Sequence, residues 1–584
     1  MCGLNAGIDD VWSPHGDSTR ADVSLQQKRA FSVHSAEFPT SLGNEGRVIF
    51  PAAKETSPSW RRFSSKTELT IPPSLAAQAA DEAHTRAEAS GYDRFEAHLT
   101  SGGDDRSLIL EGTGTNKYHI RPQPVDPAHV FRGSCTGNPP TERGYAAAGE
   151  LFWDVLSGLE GEDLDLALRD VFSEQRTRLT SLLRLPPGAE VVLCPSGSDA
   201  EYIPLAIARA LKPKTRIANG ITQLKEIGAG SAPAAVGKYF STHAPLVGQI
   251  PDEMEYLAGF KGVNGTVIAA RGNRGEVIDA SKEMKEFEDH ALANELYPIV
   301  HGVFGGKTGI RDSQMPSSLE GGEKSLGVVD ACQARFSLDE LHQWLDQDSL
   351  VLFTGSKFYQ APPFCGAVII PSAIAEKLRK SPAPQPQEIF SSDGLGGFLT
   401  DKELSRCFKN WKPRLRKNDT NNVGLALRWQ AGLAGMEAAA SIPDSKQTEA
   451  VEEWAGAVTK MVEGQSALDP WCVERSIISI RVAKEGGWLN MSESRDLYRW
   501  MSMDVSAIIP DATEKEKITL SKAAYIGQPV DVSDSHAIVR IALGVESLLS
   551  FLKNKERTLE EDQLVVQKLA AIGRHFETLK KSGQ

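Results

Sequence analysis

From residue 190 to 370 the chain alternates two hydrophobic patterns. Short, nearly all-apolar runs are Glu190-Val191-Val192-Leu193-Cys194, Thr266-Val267-Ile268-Ala269-Ala270, Tyr297-Pro298-Ile299-Val300-His301, Leu326-Gly327-Val328-Val329-Asp330, Leu350-Val351-Leu352-Phe353 and Gly366-Ala367-Val368-Ile369-Ile370. Each is too short for a helix and apolar at both parities, which predicts a strand buried on both faces. Between them, Ala200 to Leu211 and Lys282 to Leu296 carry helical spacing, and Ser337 to Leu345 opens with Asp339 and Glu340 in its first turn. This rhythm predicts an α/β fold with a mostly parallel, doubly wound sheet.

The flanks differ. Residues 1 to about 65 are rich in Ser, Gly, Pro and charge without a period, and read as a mobile tail. Ile71 to Leu99 reads as helical, Ser101 to Asp105 breaks the chain, and short apolar runs follow at 108–110 and 117–120. After Pro371, Val423 to Ala440 reads as a long helix. Ser476 to Val482 and His536 to Ala542 alternate like half-covered strands, and Glu546 to Leu579 is helical. The expected organisation is a tail (1–65), a helical and extended segment (66–135), a major domain (136–375) and a smaller C-terminal α+β domain (376–584).

Composition narrows the partners. The 584 residues carry a net charge of -13, which repels nucleic acid and anionic lipid. No apolar run approaches the roughly 18–20 residues of a membrane span. The seven cysteines form no C-x-x-C pair, so neither a disulfide framework nor a metal site is expected, and a reducing, cytoplasmic setting fits.

Three motifs carry the chemistry, each just after a predicted strand. Cys194-Pro195-Ser196-Gly197-Ser198-Asp199 is a small-residue turn into a helix, where free N–H groups and hydroxyls suit a phosphate. Val329-Asp330-Ala331-Cys332-Gln333 delivers a carboxylate at a strand end, suited to a protonated pyridine nitrogen, with Gln333 placed for a ring oxygen. Thr354-Gly355-Ser356-Lys357 puts an amine where desolvation favours its neutral, nucleophilic form, with Thr354 and Ser356 as further phosphate donors.

In this order the motifs resemble fold type I enzymes dependent on pyridoxal phosphate (PLP), the class V aminotransferase and cysteine-desulfurase-like branch. The resemblance spans roughly Tyr118 to Gly544. It implies PLP held by Gly197, Ser198, Asp199, Asp330, Gln333, Thr354 and Ser356, with Lys357 forming the Schiff base and acting as the catalytic group. It further implies Arg540 as the grip on a substrate carboxylate, residues 132–138 as an edge of the site, a small-molecule substrate that is an amino acid or amine, and a homodimer.

The chain departs from the branch in three places. Lys225 to Gly230 lacks the usual stacking histidine, leaving His243 and Tyr239 as open alternatives. Gly305-Gly306-Lys307-Thr308-Gly309 lacks the branch's asparagine. Cys472, in Asp469-Pro470-Trp471-Cys472-Val473, does not match a desulfurase loop cysteine.

Other classes fit less well. Gly306-Lys307-Thr308 ends like a P-loop, but His301 stands where its first glycine belongs. Gly228-Ala229-Gly230 lacks the third glycine of a dinucleotide fingerprint. Amino-group transfer is the expected reaction, with a lyase on a β-substituted amino acid as the alternative. A non-catalytic relative of the fold is the reading from another class.

Overall fold

The computed structural model describes residues 75–134, 137–250, 254–272, 275–416, 420–533 and 536–583. The expected tail, 1–65, lies outside them, as do Cys135 and Thr136 of the 132–138 edge.

In chain order the strands begin with β1 (Val130–Arg132), β2 (Glu190–Cys194) and β3 (Ile217–Ile221). The two-residue strands β4 (His243–Ala244) and β5 (Gly248–Gln249) pair with each other, and β6 (Asn264–Val267) follows. Then come β7 (Tyr297–Val303), β8 (Leu326–Asp330), β9 (Leu350–Thr354) and β10 (Gly366–Ile370). The last group is β11 (Leu468–Glu474), β12 (Ile477–Lys484), β13 (Gly487–Trp488), β14 (Ala524–Ser533) and β15 (His536–Ala542).

The central sheet has seven strands in the order β2-β10-β9-β8-β7-β3-β6. β6, β3, β7, β8 and β9 pair in parallel, whereas β10 is antiparallel to both β9 and β2. β2 therefore runs the same way as β9, and β10 alone is reversed. The expected mostly parallel α/β sheet is what forms.

Its strands are buried on both faces because alternate residues feed two cores. Val191, Leu193, Val329, Val351, Phe353 and Ile369 join one hydrophobic cluster. Val192, Cys194, Val328, Leu350, Leu352, Val368 and Ile370 join the other. Period-two side chains with helices on both faces explain why these runs are apolar throughout.

A second, six-stranded sheet runs β1-β14-β15-β12-β11, with β13 added to β12. The expected alternating strands are β12 and β15. β11 and β14 were not expected, nor was the parallel edge strand β1, donated from far earlier in the chain. The predicted 71–99 helix is two, Leu75–Glu88 and Arg94–Thr100, separated by Gly91 at positive φ and restarted by an Asp93 capping box. The predicted strand at 266–270 sits earlier, as β6. β3 escaped the pattern because Asn219 and Gly220 interrupt its apolar run. No described helix is long and apolar enough to cross a membrane.

Arg428, on the helix Val423–Ala440, joins the layers. It is fully buried. Its Nε donates to Phe364 O at 2.7 Å, Nη1 to Leu99 O at 2.9 Å, and Nη2 to Gly102 O at 3.0 Å. One side chain thus ties the N-terminal segment to the chain entering β10. We expect Arg428→Leu to strand these carbonyls and lower unfolding free energy by about 3 kcal/mol or more. Urea denaturation checks this, and a loss below about 1 kcal/mol would assign the joint to apolar packing instead.

Candidate active site

The shared strand direction brings several turns to one edge of the central sheet. Ser196, Gly197 and Ser198 follow β2, Gly305 and Gly306 follow β7, and Asp330 ends β8 with Cys332 and Gln333 beyond it. Thr354 ends β9, with Ser356 and Lys357 beyond. The loop after β3 adds Glu226, Ile227, Gly228 and Ser231. All of these line one pocket, partly open to solvent, with Arg106 and Phe364 at its side.

Of the residues expected from sequence, Gly197, Ser198, Asp330, Gln333, Thr354, Ser356 and Lys357 line this pocket. Asp199 and Arg540 do not. Asp199 is buried behind the turn, where its carboxylate accepts from Ser196 Oγ at 2.6 Å. Burial and nearby Asp104 push its pKa up to about 7. Arg540 is fully buried on β15 and donates to Gln528 O at 2.8 Å and to Lys307 O at 2.9 Å. Of the open stacking alternatives, His243 faces Glu82 at 3.4 Å and the Tyr239 hydroxyl donates to Asp393 O. Neither lines the pocket.

The turn after β2 differs in detail from the expected bare helix end. Its Ser198 and Asp199 N–H groups both donate to Ser196 Oγ at 3.1 Å. The groups left for an anion are hydroxyls and a cation that the sequence did not reveal. Arg106 reaches in from the N-terminal segment, held bidentate by Asp104 at 2.6 and 2.7 Å. It also donates to Ser196 Oγ at 3.2 Å and lies 4.4 Å from the Phe364 ring centroid. Nothing local marks it, because Asp104-Asp105-Arg106 reads as an ordinary charged turn.

Close backbone approach shapes the pocket. A Cβ at Gly197 would lie 2.8 Å from Cys332 Sγ and 2.9 Å from Thr354 Cγ2. A Cβ at Gly366 would lie 2.3 Å from Ser196 O. Glycine is therefore required where β10 crosses the turn after β2.

The Lys357 turn is fixed from outside. Asn138 Nδ2 donates to Ser356 O at 2.9 Å and to Lys357 O at 2.7 Å, and Gln360 N donates to Lys357 O. Asn138 belongs to the 132–138 edge and acts on the lysine's backbone. Asp330 Oδ1 accepts from Cys332 N at 3.0 Å. The buried Gln333 Oε1 has no hydrogen-bond partner among the described residues. A pocket holding an amine, a carboxylate, an open amide and a hydroxyl turn fits a flat, anionic heteroaromatic ligand such as PLP.

Behind Asp330 lies a buried acid and base. His301 Nδ1 is 3.5 Å from Glu201 Oε2, and both residues are 2% exposed. Burial lowers the His301 pKa to about 3, while burial and the Asp330 charge push Glu201 well above the carboxylate range. Both are held neutral.

No family model and no curated protein matches the chain. Solved structures do. One is ureidoglycine-glyoxylate aminotransferase from Bacillus subtilis, with 15% identity over 78% of this chain and 97% of that one, at a TM-score of 0.45. Another is phosphoserine aminotransferase SerC from Cytophaga hutchinsonii, with 12% identity over 74% and 99% at 0.41. A third is Oryza sativa TDC with PLP and tryptamine, with 14% identity over 74% and 83% at 0.42.

His301 gives a pH prediction. A free histidine has a pKa near 6.5. Between about 6.5 and 3 the unfolded chain therefore binds a proton that the folded chain refuses, so stability falls as pH drops through that window. We expect His301→Gln to flatten the fall in melting temperature between pH 7 and 4. Parallel curves for variant and parent would show that His301 is not the group responsible.

Proposed function

We propose that the chain is a PLP-dependent enzyme acting on an amino acid or related amine, and that it transfers amino groups. The observation that carries this reading is one pocket at the sheet edge that gathers Lys357, Asp330 and the Ser196–Ser198 turn. In this reading Lys357 holds the cofactor carbonyl and Asp330 keeps the ring nitrogen protonated. Gln333 faces the ring oxygen, and Ser198, Ser231 and Arg106 face the phosphate. When bound, PLP takes up electrons from a bond broken next to the substrate nitrogen. Lys357 would serve as the base that removes the Cα proton and the acid that returns it. Arg540 is assigned, from the resemblance, to the substrate carboxylate. A homodimer follows from the same resemblance.

Two thiols among the described residues speak against sulfur extraction. Burial pushes Cys472 up to about 11. Burial and Asp330 push the pocket-lining Cys332 well above the ordinary thiol range. Neither supplies a thiolate.

Purified protein incubated with PLP should gain a visible absorption band that survives dialysis, and Lys357→Ala should lose it. A parent protein that takes up no PLP would overturn the cofactor. Amino acids offered with a keto acid acceptor should yield a new keto acid without ammonia. Ammonia released in step with keto acid would replace transfer by elimination.

A further inference from the structure

We infer that Ile227 and Cys332 cover the two faces of the cofactor ring, which is thus held between an aliphatic side chain and a thiol. This rests on the PLP reading above and deepens it by naming the residues that position the ring.

Two strips of wall cross the pocket from the turn after β2 to the turn after β7. The first is Gly197, Cys332, Gln333 and Gly305. A Cβ at Gly197 would lie 2.8 Å from Cys332 Sγ, and one at Gly305 would lie 3.3 Å from Gln333 Cβ. The second is Ser198, Gly228, Ile227, Glu226 and Gly306. A Cβ at Gly228 would lie 3.3 Å from Ser198 Oγ, and one at Gly306 would lie 2.6 Å from Glu226 Cβ. Every residue of both strips lines the pocket. The apolar side chain of the first strip is Cys332, and that of the second is Ile227.

Both strips are fixed. Lys307 N donates to Glu226 O at 2.9 Å, Ser231 N to Gly228 O at 3.0 Å and Ile227 N to Gln223 O at 3.2 Å. The Ile227 side chain packs in an apolar cluster with Ile221, Ala232, Ala235 and Val303. Burial and Asp330 keep the Cys332 thiol protonated, and a neutral thiol packs as a small hydrophobe. Phe364, the one aromatic residue of the lining among the described residues, is taken by the Arg106 guanidinium 4.4 Å from its ring centroid. Apolar walls with a few polar groups between them suit a flat heteroaromatic ring.

The experiment is calorimetry with pyridoxine 5′-phosphate, which lacks the aldehyde and so reports the pocket without the link to Lys357. Ile227→Ala should weaken its binding about tenfold or more, through lost apolar contact. Ile227→Leu should stay within about threefold of the parent. Cys332→Ser, which turns a hydroxyl toward the ring, should weaken binding about threefold or more. Ile221→Ala is the control. Ile221 shares the apolar cluster but does not line the pocket, so this change should lower the melting temperature and leave binding unchanged.

Parent-like binding in Ile227→Ala or in Cys332→Ser overturns the inference, as does an equal loss in Ile221→Ala. Should Ile227→Ala not fold, Ile227→His decides. It should move the visible band of the PLP-loaded protein, and an unmoved band overturns the inference. The two readings fail separately. A parent that binds pyridoxine 5′-phosphate but gains no band with PLP loses the Lys357 link and keeps the slot. A PLP band with parent-like binding in the Ile227 and Cys332 variants sinks the inference alone. A parent that binds neither compound sinks both.

Discussion

A strand has one carboxyl end, and in a parallel sheet those ends share an edge. β2, β7, β8 and β9 run the same way, so the turns after them must converge. Asp330 and Lys357 are 27 residues apart in the chain (357 − 330) and meet because one crossover separates two neighbouring parallel strands. The reversed β10 serves the same edge from its other end, bringing Gly366 against Ser196 and Phe364 against Arg106. The pocket is thus a property of strand direction first and of side chains second.

That edge is also where the interior is hardest to keep uncharged. The fold neutralises what it buries deeply and pairs what it cannot neutralise. His301 and Glu201 are held neutral behind Asp330. Arg106 is matched by Asp104, Arg132 by Asp562, and Arg271 by Glu226. Arg428 is matched instead by carbonyl groups of the segment it anchors. Burial without such matching costs several kcal/mol per charge.

Much of this was legible in the sequence, for identifiable reasons. Double-sided burial wrote β2, β8, β9 and β10 as uninterrupted apolar runs, and the turns beyond them carried Gly197, Asp330 and Lys357 in plain view. β3 was hidden by Asn219 and Gly220, and β1 by its length of three residues. Arg106 and Glu226 were illegible for another reason. Each reaches the pocket from a segment without strand periodicity, and pairing sums over the whole fold bring them there. Asn138 was noted only as part of an edge, since its partners are backbone atoms 218 and 219 residues away.

Arg540 holds the two sheets together while standing beside the candidate site. Its guanidinium donates across the seam, from β15 to the carbonyl of Lys307 in the turn after β7. If Arg540 also grips the substrate carboxylate, as proposed, mechanical cohesion and ligand choice draw on one side chain. A lineage changing its substrate could not exchange Arg540 without loosening the joint between its sheets.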